Sequence, residues 1–225
     1  IRLMPLGDSI TDGGTKHRSY RYHLHRLLAR GEHHVQWVGS MQGVFDLLKG
    51  RNATRGRPLR GEDDWPLEAQ QHEGHWGWTA KQVLHGHERQ PQRGSLPGWL
   101  REDARQRRLP HVALVHLGTN DLTKHVVKEG QSVASVARQL RAVVQRLCRA
   151  SPQVLTVLAS PIPYCRFKAA NAVEQRARRQ LLELELAGRL RAISRASGSR
   201  SSAKRIHACQ PGRVLYVNMS AAVHC

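Results

Sequence analysis

Three short segments of the sequence carry the residue types that acyl transfer requires. Ser9 closes a Gly-Asp-Ser triplet directly after the first apolar run, and Asn120 follows the apolar run 112–115. Between them, residues 72–80 place two glycines in a polar loop ahead of a helix predicted from Thr79. A serine hydroxyl can attack an ester carbonyl, and glycine N–H groups and an amide side chain can stabilise the resulting oxyanion. The segments therefore predict a serine hydrolase site.

The elements that must position these segments alternate between strand and helix. Continuous apolar, β-rich runs predict strands buried on both faces of a parallel sheet, at residues 1–6, 35–39, 112–117, 154–159 and 214–219. Apolar residues at helical spacing predict helices over 20–29, 133–149 and 169–193. Two stretches rich in Gly, Ser and charged residues, 49–71 and 194–212, predict surface loops.

This alternation predicts an α/β fold, a three-layer α/β/α sandwich around a central five-stranded parallel sheet with right-handed crossovers. The length of 225 residues suits one domain, and we expect residues 1–225 to form it. Loops at the carboxyl ends of parallel strands share one edge of the sheet, so the three segments are expected to meet there.

These motifs resemble those of the SGNH (GDSL-type) hydrolases, whose blocks read Gly-Asp-Ser, a glycine, Gly-x-Asn-Asp and a late Asp-x-x-His. The chain is closer still to the carbohydrate esterases of family 3, the acetyl xylan esterase type, at residues 4–11, 19–21, 37–40, 73–75 and 116–121. The resemblance extends from residue 1 to about residue 171 and is poor over 46–71. It implies the flavodoxin-like SGNH fold, a secreted enzyme, no cofactor or metal, and a small-molecule or polysaccharide ester as substrate.

The resemblance also implies a role for each block. Ser9 would be the nucleophile, and the oxyanion would be held by the N–H groups of Ser9 and Gly77 and by the side-chain amide of Asn120. The implied reaction is hydrolysis of small acyl esters, acetyl esters above all, on a carbohydrate such as acetylated xylan.

Five further residues of the blocks have expected positions. Asp8 and Asp121 are expected to tie down two loops through hydrogen bonds to backbone N–H groups. His75 and Trp76 flank the glycine of the second block and are expected to line a sugar pocket. His116 lies within an apolar strand and is expected to be a core histidine with its hydrogen bonds satisfied.

The last block of the resemblance is incomplete. His224 is the only histidine after the last predicted strand, and Ala221 stands where the block calls for aspartate. One interpretation is that the chain is truncated before its acid–base pair. In a second, His224 acts as the base alone. In a third, another histidine, such as His75 or His116, replaces it, or the protein binds carbohydrate without turning it over.

The charge of the chain suggests a different class of function. Lys and Arg number 36 against 17 Asp and Glu, and the formal net charge of +19 predicts attraction to polyanions. A basic polyanion-binding protein is therefore a second alternative. The basic clusters contain no interleaved aromatic residues, so no specific nucleic-acid partner is expected. No apolar run is long enough to span a membrane, and a monomer is expected.

The four cysteines, at positions 148, 165, 209 and 225, do not have the spacing of a metal site. One or two disulfides are compatible with a secreted protein. The alternative is buried free thiols, especially Cys148 on the apolar face of a predicted helix.

Overall fold

The computed structural model of the protein describes residues 1–14, 19–46, 51–53, 65–162, 182–183, 185–195 and 213–219. Its strands are β1 (Arg2–Gly7), β2 (Gln36–Trp37), β3 (Met41–Gln42), β4 (Val44–Asp46), β5 (Arg51–Ala53), β6 (Gln71–Gly74), β7 (Val112–His116), β8 (Leu155–Ala159) and β9 (Val214–Val217). Its helices are α1 (Ser9–Asp12), α2 (Tyr20–Arg30), α3 (Ala80–His85), α4 (Leu96–Arg105), α5 (Thr119–Asp121), α6 (Val133–Ala150) and α7 (residues 185–195). A π-helical segment, Leu122–Lys128, follows α5.

A seven-stranded, mostly parallel sheet forms the centre of the fold. Its order is β3-β6-β1-β7-β8-β9, and β2 pairs with β1. Strand β3 runs antiparallel to β6, and every other pair in this sheet is parallel. All five predicted strands are present, and the predicted α/β class is confirmed. Strands β4 and β5 form a separate antiparallel pair.

Strand β6 was predicted as part of a polar loop, and this prediction is wrong. His72 and Glu73 are fully buried although both are polar. Their hydrogen bonds are made inside the protein: the ring Nδ1 of His72 accepts from the N–H of Gly74 at 2.9 Å, and Glu73 accepts from the hydroxyl of Ser40 at 3.0 Å. A pattern of hydropathy alone treats such residues as exposed, and therefore misses a buried polar strand.

Helices cover both faces of the sheet, as a sandwich requires. One core joins Met4, Leu6 and Val115 of the sheet to α3, α4, α6 and α7. A second core, on the other face, contains Leu3 and Trp37 and packs against α2. Helix α6 shows why the sequence pattern works, because its buried residues repeat at i, i+3, i+4 and i+7, namely Val133, Val136, Ala137, Leu140, Val143, Val144 and Leu147.

The less regular parts of the chain are described only in part. Of the helix predicted over 169–193, residues 182–183 and 185–193 are helical, and its apolar Leu186 and Leu190 are buried. Within the predicted loop 49–71, the structure instead has β5, a 3₁₀ turn at Leu67–Gln70 and the first residue of β6. Residues 49–50 and 54–64 of this loop, and residues 196–212 of the other, lie outside the described residues.

Three further features bear on the predictions. Cys148 is disulfide-bonded, so the alternative of a free thiol there is wrong, and the other three cysteines lie outside the described residues. Strand β9 is the last strand of the sheet, and its Leu215 and Val217 are 47% and 40% exposed. No described helix combines the length and apolar character needed to cross a membrane.

Candidate active site

The three chemical segments meet at the carboxyl ends of β6, β1 and β7, as predicted. Gly7 at the end of β1 pairs with Gly74 on one side and with His116 on the other. The N–H of His75 donates to the Gly7 carbonyl at 3.0 Å. A Cβ atom on Gly7 would lie 2.6 Å from the His116 carbonyl oxygen, so only glycine fits between these strands.

Ser9 is the first residue of α1. Asp8 caps this helix, because its carboxylate Oδ1 accepts the N–H of Ile10 at 2.9 Å. This is the contact with a backbone N–H that the sequence predicts for Asp8. Ser9 itself is partly exposed and lies at the edge of the sheet where the segments converge.

Asp8 is fully buried, and its environment alters its titration. Burial is the largest effect and raises the pKa of this carboxyl to about 7, with the negative charge of Asp121 adding to the shift. The hydrogen bond from Ile10 acts in the opposite direction. Asp8 therefore exchanges a proton near neutral pH, one residue from Ser9.

The second and third segments are joined by two side chains. The amide Nδ2 of Asn120 donates to the Trp78 carbonyl at 2.9 Å. Both carboxylate oxygens of Asp121 accept the N–H of Ala80, at 3.0 and 3.1 Å, at the start of α3. Helix α3 begins at Ala80, one residue after the predicted start, and Thr79 caps it. Asn120 and Asp121 thus fix the third segment against the turn that holds Gly77.

Gly77 occupies this turn in a conformation that other residues avoid. Its φ is +76°, and a Cβ atom added there would meet nothing within 4 Å. The requirement for glycine is therefore conformational and does not come from lack of space. The turn borders open space, which a ligand can occupy.

A cavity of about 590 Å³ adjoins Ser9. Most of its lining is apolar and comes from α1, the start of α2 and the sheet. The lining residues are Ser9, Ile10, Gly13, Gly14, Ser19, Tyr20, Trp76, Leu114, Val115, His116, Val157, Ala159, Ile162, Val217 and Met219. The Trp76 indole stacks on Phe45 with ring centroids 4.8 Å apart. Trp76 therefore lines a cavity beside Ser9, whereas Gly77 and Asn120 are not part of its lining.

His75 has a different position from the one predicted. Its ring is fully buried and stacks on both Trp78 and Trp99, with centroids 4.4 and 4.6 Å away. Its Nε2 lies 3.0 Å from a carboxylate oxygen of Glu73. A fully buried ring cannot contact a sugar, so the prediction that His75 lines a substrate pocket is wrong.

His116 is buried, as predicted, but its hydrogen bonds are not satisfied. Among the described residues, neither ring nitrogen has a partner in hydrogen-bonding geometry, and the side chain lines the cavity beside Ser9. Burial lowers the pKa of the imidazole to about 4, while the backbone of His116 and Ser160 acts in the opposite direction. The ring is therefore neutral at neutral pH.

Two residues of the incomplete last block, His224 and Ala221, lie outside the described residues. Arg21 received no role from the sequence, yet it is fully buried and donates hydrogen bonds to α1. Its place in the block at 19–21 was the available signal. Among the described residues, no group of three His, Cys, Asp or Glu side chains could hold a metal ion.

Comparison with known proteins places the chain among similar folds. The profile of the GDSL-like lipase/acylhydrolase family matches residues 6–194. A carbohydrate esterase family 3 structure from Talaromyces cellulolyticus has a TM-score of 0.58 and 20% identity, over 99% of this chain and 81% of its own. A family 3 carbohydrate esterase from Clostridium thermocellum has a TM-score of 0.58 and 22% identity, over 98% and 79%.

A third similar structure is an acetyl esterase mutant with an acetate ion, at a TM-score of 0.55 and 20% identity, over 99% of this chain and 81% of its own. At such identities, the likeness to all three structures shows the fold. No curated protein matches the sequence.

Proposed function

We propose, since the chain belongs to the GDSL-like lipase/acylhydrolase family, that it hydrolyses small acyl esters with Ser9 as the nucleophile. The observation that carries the proposal is the meeting of the three segments at the ends of β6, β1 and β7. It brings a partly exposed serine to the same edge as the Gly77 turn and the Asn120 amide. In this proposal, residues 1–225 act as a single domain.

The proposed reaction has two steps. Ser9 Oγ attacks the ester carbonyl carbon and loses its proton to a base, which passes a proton to the departing alcohol as the ester C–O bond breaks. Water then attacks the acyl-serine, and the acid is released. The N–H groups of Ser9 and Gly77 and the Asn120 amide would stabilise the oxyanion in both steps.

For the base we propose His224, the histidine that follows the last strand in the sequence. The alternative is His116, which lines the same cavity as Ser9 and whose ring nitrogens have no hydrogen-bond partner in the described part of the chain. The low pKa of His116 makes its imidazole a weak proton acceptor, which favours His224. Either residue is open to a direct test.

Asp8 and Asp121 would support the site without taking part in proton transfer. Asp8 caps α1 and Asp121 holds the start of α3, so each carboxylate fixes one of the segments. With a pKa near 7, Asp8 is neutral in a large fraction of molecules at neutral pH. A neutral side chain beside Ser9 opposes a developing oxyanion less than a carboxylate would.

For the substrate we propose an acetyl ester of a carbohydrate such as xylan. The similar structures are described as family 3 carbohydrate esterases and an acetyl esterase, which supports this choice. The partly exposed Trp76 indole at the cavity wall offers an apolar face of the kind on which a sugar ring packs. A secreted monomer is part of the same proposal.

The first experiment is hydrolysis of p-nitrophenyl acetate by the protein and by its Ser9→Ala variant. Turnover that Ser9→Ala abolishes, and that the matched Ser135→Ala variant on α6 retains, would support the proposal. Equal background rates from folded samples of all three would refute it. In that case, calorimetric binding of acetylated xylo-oligomers would identify a carbohydrate-binding protein without turnover.

The base is assigned with two further variants in the same assay. His224→Ala should lower kcat by about 10⁶-fold if His224 is the base, because removal of the base from a catalytic unit has an effect of that order. His116→Leu should then leave kcat within a few-fold of the original. The reverse pattern would assign the role to His116.

A further inference from the structure

Three consecutive residues at the start of α2 contact the short helix that carries Ser9. The Ser19 hydroxyl donates to the Thr11 carbonyl at 3.2 Å, and the Tyr20 hydroxyl lies 3.3 Å from the Thr11 hydroxyl. Arg21 Nε donates to the same Thr11 carbonyl at 2.7 Å. The motif Ser-Tyr-Arg at 19–21 therefore has a physical role that the proposed chemistry does not use.

Arg21 makes the most extensive of these contacts. Its guanidinium is fully buried, and its Nη2 donates to the carbonyls of Asp12 at 2.7 Å and Gly43 at 2.6 Å. Its Nη1 donates to the Gln70 carbonyl at 2.7 Å, and the group lies 5.1 Å from the ring centroid of Trp65. A planar guanidinium holds its donors at fixed angles, so this one group joins three segments of chain.

Two of the carbonyls that accept hydrogen bonds from Arg21 lie at the C-terminal end of α1. The final carbonyls of a helix have no partners within it, and in the four-residue α1 the carbonyls of Thr11 and Asp12 are of this kind. On another side, a Cβ atom added to Gly74 would lie 2.5 Å from the Asp12 N atom, so strand β6 packs directly against α1. With both contacts in place, α1 cannot move without breaking hydrogen bonds of Arg21 or colliding with β6.

We propose that Arg21 is a positioning residue for the nucleophile. By holding the C-terminal end of α1, it fixes the position of Ser9 at the N-terminal end of the same helix. The inference rests on the proposed function, because it concerns the geometry of the proposed nucleophile. Arg21 lies beneath α1 and acts through it, without contact with the reacting atoms. Its role is thus distinct from those of Gly77 and Asn120.

The conservative substitution Arg21→Lys tests this role in the enzyme. An ammonium keeps the charge but cannot span the same set of carbonyls, so α1 should shift or become mobile. We expect kcat for p-nitrophenyl acetate to fall about 10- to 100-fold, since small misplacements of reacting groups have effects of that order. KM should stay within about 3-fold, because Arg21 does not contact substrate. The exposed Arg30→Lys on the same helix is the matched control and should change neither constant.

A purely structural role would lower the melting temperature and leave kcat unchanged, so kcat is measured well below the melting temperature of each variant. Methylguanidinium added to Arg21→Ala should restore part of kcat, since it can fill the vacated site and donate the same bonds. It should have no effect on Arg30→Ala. Unchanged kcat in Arg21→Lys, or no difference between the two lysine variants, would overturn the proposal.

A second measurement does not depend on activity. Hydrogen exchange followed by mass spectrometry should show faster exchange in residues 8–14 of Arg21→Lys, while the β7 and β8 segments keep their protection. Exchange in residues 8–14 that matches the original protein would refute the positioning role even if the enzyme is active. Altered exchange in a protein with no esterase activity would refute the proposed function and leave the contact between Arg21 and α1 established.

Discussion

The buried carboxyl of Asp8 predicts a pH dependence of stability that one substitution should remove. Its pKa is about 7 in the folded protein, against an ordinary value of 3.8. Between these values the folded state holds a proton that the unfolded state has released. Unfolding therefore releases a proton and becomes more favourable as pH rises, so the contribution of Asp8 to stability is present below pH 4 and is lost as pH rises through 7.

The size of the effect follows from the shift. About three pKa units at 1.36 kcal/mol each correspond to about 4 kcal/mol between pH 4 and pH 8, with a steepest slope of about 1.4 kcal/mol per pH unit between the two pKa values. Asp8→Asn keeps an oxygen that can accept the N–H of Ile10 at the same position but cannot titrate. We therefore expect the stability of the original protein relative to Asp8→Asn to fall by about 4 kcal/mol over this range.

The assay is urea unfolding of both proteins at pH 4, 5, 6, 7 and 8, followed by circular dichroism. The raised pKa of Asp103 and the lowered pKa of His116 also make the free energy of unfolding depend on pH. Their effects are the same in both proteins and cancel in the difference. The exposed Glu88→Gln is the control for removal of a carboxylate. Asp121→Asn should reduce the total change in stability over this pH range, because the Asp121 charge adds to the pKa shift of Asp8. A difference between the original and Asp8→Asn that is constant from pH 4 to pH 8 would refute the reasoning.

Three other substitutions have defined outcomes. Asn120→Ala should lower kcat for p-nitrophenyl acetate by about 10²- to 10³-fold through loss of an oxyanion donor, and a change below 3-fold would remove Asn120 from that role. Gly77→Ala should lower the free energy of unfolding by about 1–2 kcal/mol, because alanine is strained at its φ of +76°; an unchanged urea midpoint would contradict this. His116→Leu should stabilise the protein more at pH 5 than at pH 8, because the folded pKa of about 4 makes protonation of His116 favour unfolding as pH falls below 6.5. Equal urea midpoint shifts at the two pH values would rule out that pKa.

The sequence predicts the framework of this fold because apolar strands and the apolar face of a helix leave a clear pattern. Strands β1, β7 and β8 are continuous apolar runs, and α6 has an apolar face at regular spacing. The convergence of the three segments follows from parallel topology, since each segment comes after or beside a strand end.

The parts that the sequence could not predict depend on partners distant along the chain. From its residue type alone, Arg21 is expected to be a charged residue on the surface. Only the carbonyls that accept its hydrogen bonds explain why it is buried. Strand β6 is polar, and its burial depends on hydrogen bonds that begin 33 residues earlier at Ser40. His75 lies beside Trp76 in sequence, but Trp99 comes from α4 and encloses its ring.

The position of β9 at the end of the sheet affects how the protein behaves at high concentration. Among the described strands, β9 is an edge strand with exposed apolar side chains, Leu215 and Val217, and such an edge is a template on which another copy can add a strand. The net charge of +19 opposes this contact by repulsion between molecules. Salt shortens the range of that repulsion, to about 10 Å at 0.1 M, so colloidal stability should decline as ionic strength rises. A polyanion that neutralises the surface would act in the same direction, and concentrated samples are therefore best kept in dilute buffer.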